Sequence, residues 1–120
     1  MQTVSVEQSS SLQTGERRQW PRIKVPVQAE LHLSGKSFPI RVKTTDLSMG
    51  GCYVEMMFTL EIGTPLYIML WIGEFRLRTQ GKVVTRHPQF GNGIQFESMS
   101  PADEVRLQEY LKRASREIPQ

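Results

Sequence analysis

Cysteine is almost missing from this chain. Cys52 is the only one, so no intrachain disulfide can form and folding asks for no oxidising compartment. Long apolar runs are missing too: none approaches the roughly 20 residues that cross a bilayer, so no membrane insertion is expected. Residues Met1 to Gly15 lack the basic-then-apolar pattern of a secretory signal and are rich in Gln, Ser and Thr. They are expected to form a disordered lead-in, because so little apolar surface cannot offset the entropy of ordering. A cytoplasmic location is the expectation. The two histidines, His32 and His87, are far apart and have no metal-ligand spacing. No nucleophile elbow, P-loop or dinucleotide-binding pattern occurs, so nothing points to catalysis. The formal charge is only +3. A nucleic acid polymer would ask for a denser basic surface with aromatics interleaved along it, and Trp20, Tyr53 and Tyr67 are too scattered for that.

What is present is alternation. The length of 120 residues fits one domain with a single modest core, which the sequence places over residues 16–118. From Ile23 to Leu33 apolar residues occupy every second position, the period of a half-buried strand. Pro26 lacks an N–H and predicts an edge or a bulge there. Ser34-Gly35-Lys36 supplies a turn, and Phe38, Ile40, Val42 and Thr44 mark a second strand. Cys52, Val54, Met56 and Phe58 mark a third. Leu66 to Ile72 is apolar on both faces, which predicts a strand whose outer face, with Tyr67, Met69 and Trp71, is also covered. Phe75 to Arg86 is a long strand with Arg76, Arg78, Lys82 and Arg86 on one face, and Ile94 to Phe96 is a short last one. The period then changes. Ser100 is a good helix cap, Pro101 suits the first helical position, and Leu107, Tyr110, Leu111, Ala114 and Ile118 form one stripe. The expectation is a mostly β fold: a small six-stranded antiparallel β-barrel with a C-terminal α-helix.

Two short motifs stand one hairpin apart. The first is Arg17-Arg18-Gln19-Trp20-Pro21-Arg22, with Arg-x-x-x-Arg at Arg18 and Arg22. A guanidinium is a planar fork of donors that fits phosphate oxygens, or O6 and N7 of guanine, two at a time. Taken alone, the same run also describes a solvated basic tail. The second is Asp46-Leu47-Ser48-Met49-Gly50-Gly51, an Asp-x-Ser-x-x-Gly pattern. Its carboxylate can accept the N1–H and N–H₂ donors of one guanine edge together. Ser48 can reach phosphate or brace Asp46, and Gly50 and Gly51 let backbone approach a ligand. Taken alone, this motif also describes a turn between strands. Together the two suggest a receptor for a phosphate-bearing guanine nucleotide. Within the first, Trp20 reads best as an apolar anchor against the barrel.

The pair of motifs on this strand pattern resembles the PilZ domain, a bacterial receptor module for cyclic di-GMP. Arg18, Arg22, Asp46, Ser48 and Gly51 fill the family's motif positions, and Gly93-Ile94-Gln95-Phe96 is similar to its late Gly-x-x-Phe strand. The resemblance implies that the nucleotide lies on the outer barrel surface. Arg17, Arg18 and Arg22 would hold it from one side, and Asp46, Ser48, Gly50 and Gly51 from the other. An arginine at position 17 is implied to serve a second, stacked ligand molecule. It further implies a receptor without catalysis that signals through a protein partner or as a homodimer. The alternative that the family leaves open is a ligand-independent adaptor on the same barrel.

Overall fold

The structure is a computed structural model that describes residues 21–117. The lead-in over residues 1–15, together with Arg17, Arg18, Trp20 and Ile118, lies outside the described residues.

Six strands are followed by one helix. They are β1 (Gln28–Leu33), β2 (Ile40–Leu47), β3 (Gly51–Glu55), β4 (Pro65–Ile72), β5 (Phe75–His87), β6 (Gly91–Ser98) and α1 (Pro101–Glu117). They close into a barrel in the order β1-β2-β3-β6-β5-β4, with every pairing antiparallel. The six-stranded barrel with a C-terminal helix is therefore the fold. Alternation decides which side chains fill it. Leu31, Leu47, Val54, Ile68, Leu70 and Leu77 are fully enclosed, as the period of two requires.

The first strand is shorter than its alternation predicts. Ile23, Val25 and Val27 are buried between exposed Lys24 and Pro26, but regular pairing begins only at Gln28. Pro26 has no donor for a ladder, so side-chain stitching replaces it. Thr44 of β2 is buried, and its hydroxyl donates to Val25 O at 2.7 Å and accepts from Val27 N at 2.9 Å. Further back, Ile23 and Leu47 exchange both backbone hydrogen bonds at 2.9 Å. The segment is thus held along β2 right up to the arginine motif.

Two aromatic residues assigned to strand faces lie outside the strands. Phe38 is in the β1–β2 connection and Phe58 in the β3–β4 loop, 84% and 87% exposed. In contrast, β6 starts three residues earlier than its apolar core suggests, at Gly91. Glycine permits this. A Cβ on Gly91 would sit 2.4 Å from Val54 O, and no larger residue could bring β6 so near β3.

The helix begins as its cap predicts: Ser100 Oγ accepts from Asp103 N at 3.1 Å, and Ser100 O from Glu104 N at 2.9 Å. It lies against β5, with Arg106 over the Phe75 ring at 4.6 Å. Leu107, Leu111 and Ala114 join the same buried cluster as the barrel interior, so the stripe extends the core. The outer face of β4 is covered differently. Tyr67 stacks on His32 of β1 at 4.4 Å, and Arg78 of β5 lies 4.1 Å from its centroid. No helix among the described residues is long and apolar enough to cross a membrane.

Candidate ligand site

The bridge between Ile23 and Leu47 sets the site. Arg22 and Asp46, the residues just before each, lie diagonally across this antiparallel bridge, and their side chains meet on the outer barrel surface. Arg22 Nη1 donates to Asp46 Oδ1 at 2.5 Å. The guanidinium side chain is 59% exposed and the carboxylate side chain 24%, so the pair is reachable from solvent. One residue of each motif is thereby in contact across 24 positions of sequence. Arg17 and Arg18 lie outside the described residues.

The rest of the second motif is a tightly bonded turn. Ser48 is buried, and its Oγ accepts from Gly50 N at 3.1 Å and Gly51 N at 3.2 Å. The same hydroxyl donates to Gly51 O at 3.3 Å, while Ser48 N donates to that oxygen at 2.8 Å. Among the described residues these bonds to the turn are what engage the hydroxyl. Gly50 O accepts from Phe96 N at 2.9 Å, which ties the turn to β6. The requirement for glycine at Gly51 is one of space. A Cβ there would lie 2.2 Å from Ile94 O. The glycines with positive φ are elsewhere, at Gly35, Gly63 and Gly73.

Beneath the pair, Cys52 is buried in the barrel core. Burial above all, with the Asp46 charge adding to it and Arg22 opposing it, pushes its thiol up to about 12. It is a small core side chain held as the neutral thiol.

Beside the pair lies an arrangement that no local motif announces. Tyr53 is the cross-strand partner of Asp46, and its hydroxyl is 2.9 Å from His87 Nδ1 at the end of β5. The hairpin spacing could have pointed to the first contact. The second depends on β6 lying between β3 and β5, which sequence order hides. The basic row of β5 does not gather at the site. Arg78 lies on Tyr67, Lys82 is 3.7 Å from Glu97, and Arg86 Nε donates to Thr59 at 2.9 Å. Among the described residues no group of three or more His, Cys, Asp or Glu is placed to hold a metal.

The closed six-stranded barrel thus carries an exposed polar pair beside its β2–β3 turn. The profile of the PilZ domain family matches residues 16–113. The chain belongs to the PilZ domain family. Among solved structures it is similar to the Bacillus subtilis inhibitor of motility MotI/DgrA, with TM-score 0.69 and 17% identity. That match covers 85% of this chain and 53% of MotI/DgrA, so the chain spans about half the length of that protein. The PilZ domain of Escherichia coli YcgR, solved with c-di-GMP, gives TM-score 0.69 and 21% identity over 84% of this chain and 93% of its own. The PilZ domain of CeSA from a cellulose-synthesizing bacterium gives 0.58 and 25%, over 72% and 90%. At these identities the first two likenesses speak to the fold. No curated protein matches by sequence.

Proposed function

We propose that this chain is a cyclic di-GMP receptor, without catalysis of its own, that works in the bacterial cytoplasm. The observation that carries the proposal is the contact of Arg22 with Asp46, which joins the family's two motifs at one exposed place. A guanidinium and a carboxylate side by side offer a donor fork for phosphate or the guanine acceptor edge, and an acceptor for the guanine N1–H and N–H₂ edge. Their ion pair does not hold the site shut. An exposed pair of this kind is worth about 0–1 kcal/mol, little against charge-assisted bonds to a ligand. The proposed YcgR-like ligand is supported by the family membership and by the solved complex of that domain.

In this reading Arg17, Arg18 and Arg22 close over the ligand while Asp46, with the turn of Ser48, Gly50 and Gly51, receives it from the barrel side. The receptor unit spans residues 16–118, preceded by the lead-in of residues 1–15. Ordering of the arginine segment on the barrel is the signal, read by a protein partner or by a second copy of the chain. The ligand drives that change only by binding the ordered state better than the free one. A second ligand molecule stacked at Arg17 would give a stoichiometry of two.

Calorimetric titration with cyclic di-GMP, with GTP and cyclic di-AMP as controls, tests the reading. Saturable, guanine-selective binding is expected. Arg22→Ala should abolish most of the affinity and Arg22→Lys restore only part, because an ammonium cannot reproduce the planar fork. A folded chain that binds none of the three nucleotides would leave the ligand-independent adaptor as the function.

A further inference from the structure

We infer that Tyr53 is a stacking platform for a purine base, built beside the Asp46 carboxylate; this rests on the reading of the site as a guanine-nucleotide receptor. Register is the starting point. Tyr53 and Asp46 are Cα partners across the β2–β3 hairpin. Directly paired residues project from the same face of a sheet, with Cβ atoms about 4.5–5.5 Å apart. Cys52 and Val54 point into the core, so Tyr53 and Asp46 both face outward.

The ring does not stand up from the sheet. A Cβ on Gly91 would lie 2.7 Å and 2.9 Å from carbons of the Tyr53 ring, so the ring lies down over β6 where glycine leaves room. Its hydroxyl continues to β5 and meets His87 Nδ1 at 2.9 Å. The ring is therefore fixed at both ends, by the backbone of β3 and by the imidazole. Gly93, the partner of Tyr53 on β6, puts no side chain beside it. His87 meets the ring at 46° with centroids 5.8 Å apart, a tilted contact and not a stack. The face of Tyr53 turned away from Gly91 is thus unstacked among the described residues.

A fixed, flat aromatic face next to a carboxylate is what a purine requires. The base stacks by its face and presents its donor edge to the acid. Because the ring is already immobilised, binding costs it little conformational freedom. Tyr67 is the contrast. It sits on β4 between β1 and β5, with His32 stacked at 3° from one side and Arg78 placed over it from the other. It has no face left for a base.

The test uses the full chain with ¹³C-labelled tyrosine rings, titrated with cyclic di-GMP and followed by NMR and calorimetry. The chain has three tyrosines, and Tyr53→Phe assigns the resonance of interest. Stacking should move the Tyr53 ring protons upfield at saturation while those of Tyr67 stay in place. Tyr53→Leu keeps apolar bulk over Gly91 but loses the flat π face. It should bind roughly 5- to 150-fold more weakly, and Tyr53→Phe more tightly than Tyr53→Leu. A Tyr53 ring that does not shift in the saturated parent, or a Tyr53→Leu chain that binds as tightly as the parent, would overturn the inference and leave the receptor reading intact. A parent chain that binds no cyclic di-GMP would overturn both.

Discussion

Ser48→Ala separates what the second motif does for the fold from what it does for a ligand. The hydroxyl it removes accepts from Gly50 N at 3.1 Å and Gly51 N at 3.2 Å and donates to Gly51 O at 3.3 Å. Alanine fits the space but offers no oxygen. The Gly51 N–H is buried and is left without an acceptor, which costs about 1–3 kcal/mol. Gly50 N is only partly buried and can turn to water, so its loss adds at most about 1 kcal/mol. The bond from Ser48 N to Gly51 O persists and keeps the turn from opening fully. A destabilisation near ~2 kcal/mol follows. In a domain of this size each kcal/mol moves the melting temperature by roughly 4–8 °C, so a fall on the order of 10 °C is expected. Thermal melts and urea titrations without ligand measure it, and the urea slope should be unchanged, since the surface exposed on unfolding is the same. A variant that melts within about 2 °C of the parent yet loses cyclic di-GMP would refute the reasoning. The hydroxyl would then belong to the ligand and not to the turn.

Three further perturbations follow from the same geometry. Gly51→Ala forces a Cβ to 2.2 Å from the backbone oxygen of Ile94, so β3 and β6 must part at their first pair; circular dichroism melts should show a loss larger than that of Ser48→Ala. Asn92 is wholly buried and its amide bonds Leu60 N, Leu60 O and Thr85 O at 2.8, 2.9 and 3.2 Å. Asn92→Ala strands those groups and should cost about 2–4 kcal/mol in chemical denaturation, and Asn92→Asp more, since a carboxylate cannot donate to either carbonyl. The Cys52 thiol, raised from 9.0 to about 12 by burial, makes folding weaker at alkaline pH. Its contribution is whole below the unfolded value near 9.0 and falls away as pH rises toward about 12, for a total of roughly 4 kcal/mol. Urea unfolding from pH 8 to 11 should show a steeper alkaline decline for the parent than for Cys52→Ala.

The parts of this molecule that sequence discloses are those set by local period and local turns. Alternation located the strands because one face of each is buried, and Ser100 and Pro101 located the start of α1. Pro26 announced irregularity, though not its remedy, since the hydroxyl of Thr44 that replaces the missing ladder is 18 residues away from it. Phe58 misled because a fourth apolar residue at period two reads as strand, while the chain leaves β3 at Glu55 to cross the barrel end. What sequence conceals is which strands meet to close the barrel. The pairing of β3 with β6, and of β1 with β4, joins strands that are not neighbours in the chain.

Closure also divides the labour within the second motif. Gly51 is glycine because β6 passes so near, and the Gly50 carbonyl is engaged by Phe96 N of that same strand. Ser48 fastens the turn that presents both. Those positions therefore answer to the barrel, and their spacing is what pairing with β6 dictates. Asp46 stands just outside that geometry. Its oxygen reaches outward to Arg22, and its cross-strand neighbour is the ring that glycine at position 91 lets lie flat. The same closure that demands glycine at one end of β3 thus leaves an acid, an arginine and an aromatic face together on the outside. In the proposed reading, Arg22, Asp46 and Tyr53 offer their side chains to the ligand there, and the turn of Ser48, Gly50 and Gly51 sets their position and brings its backbone near.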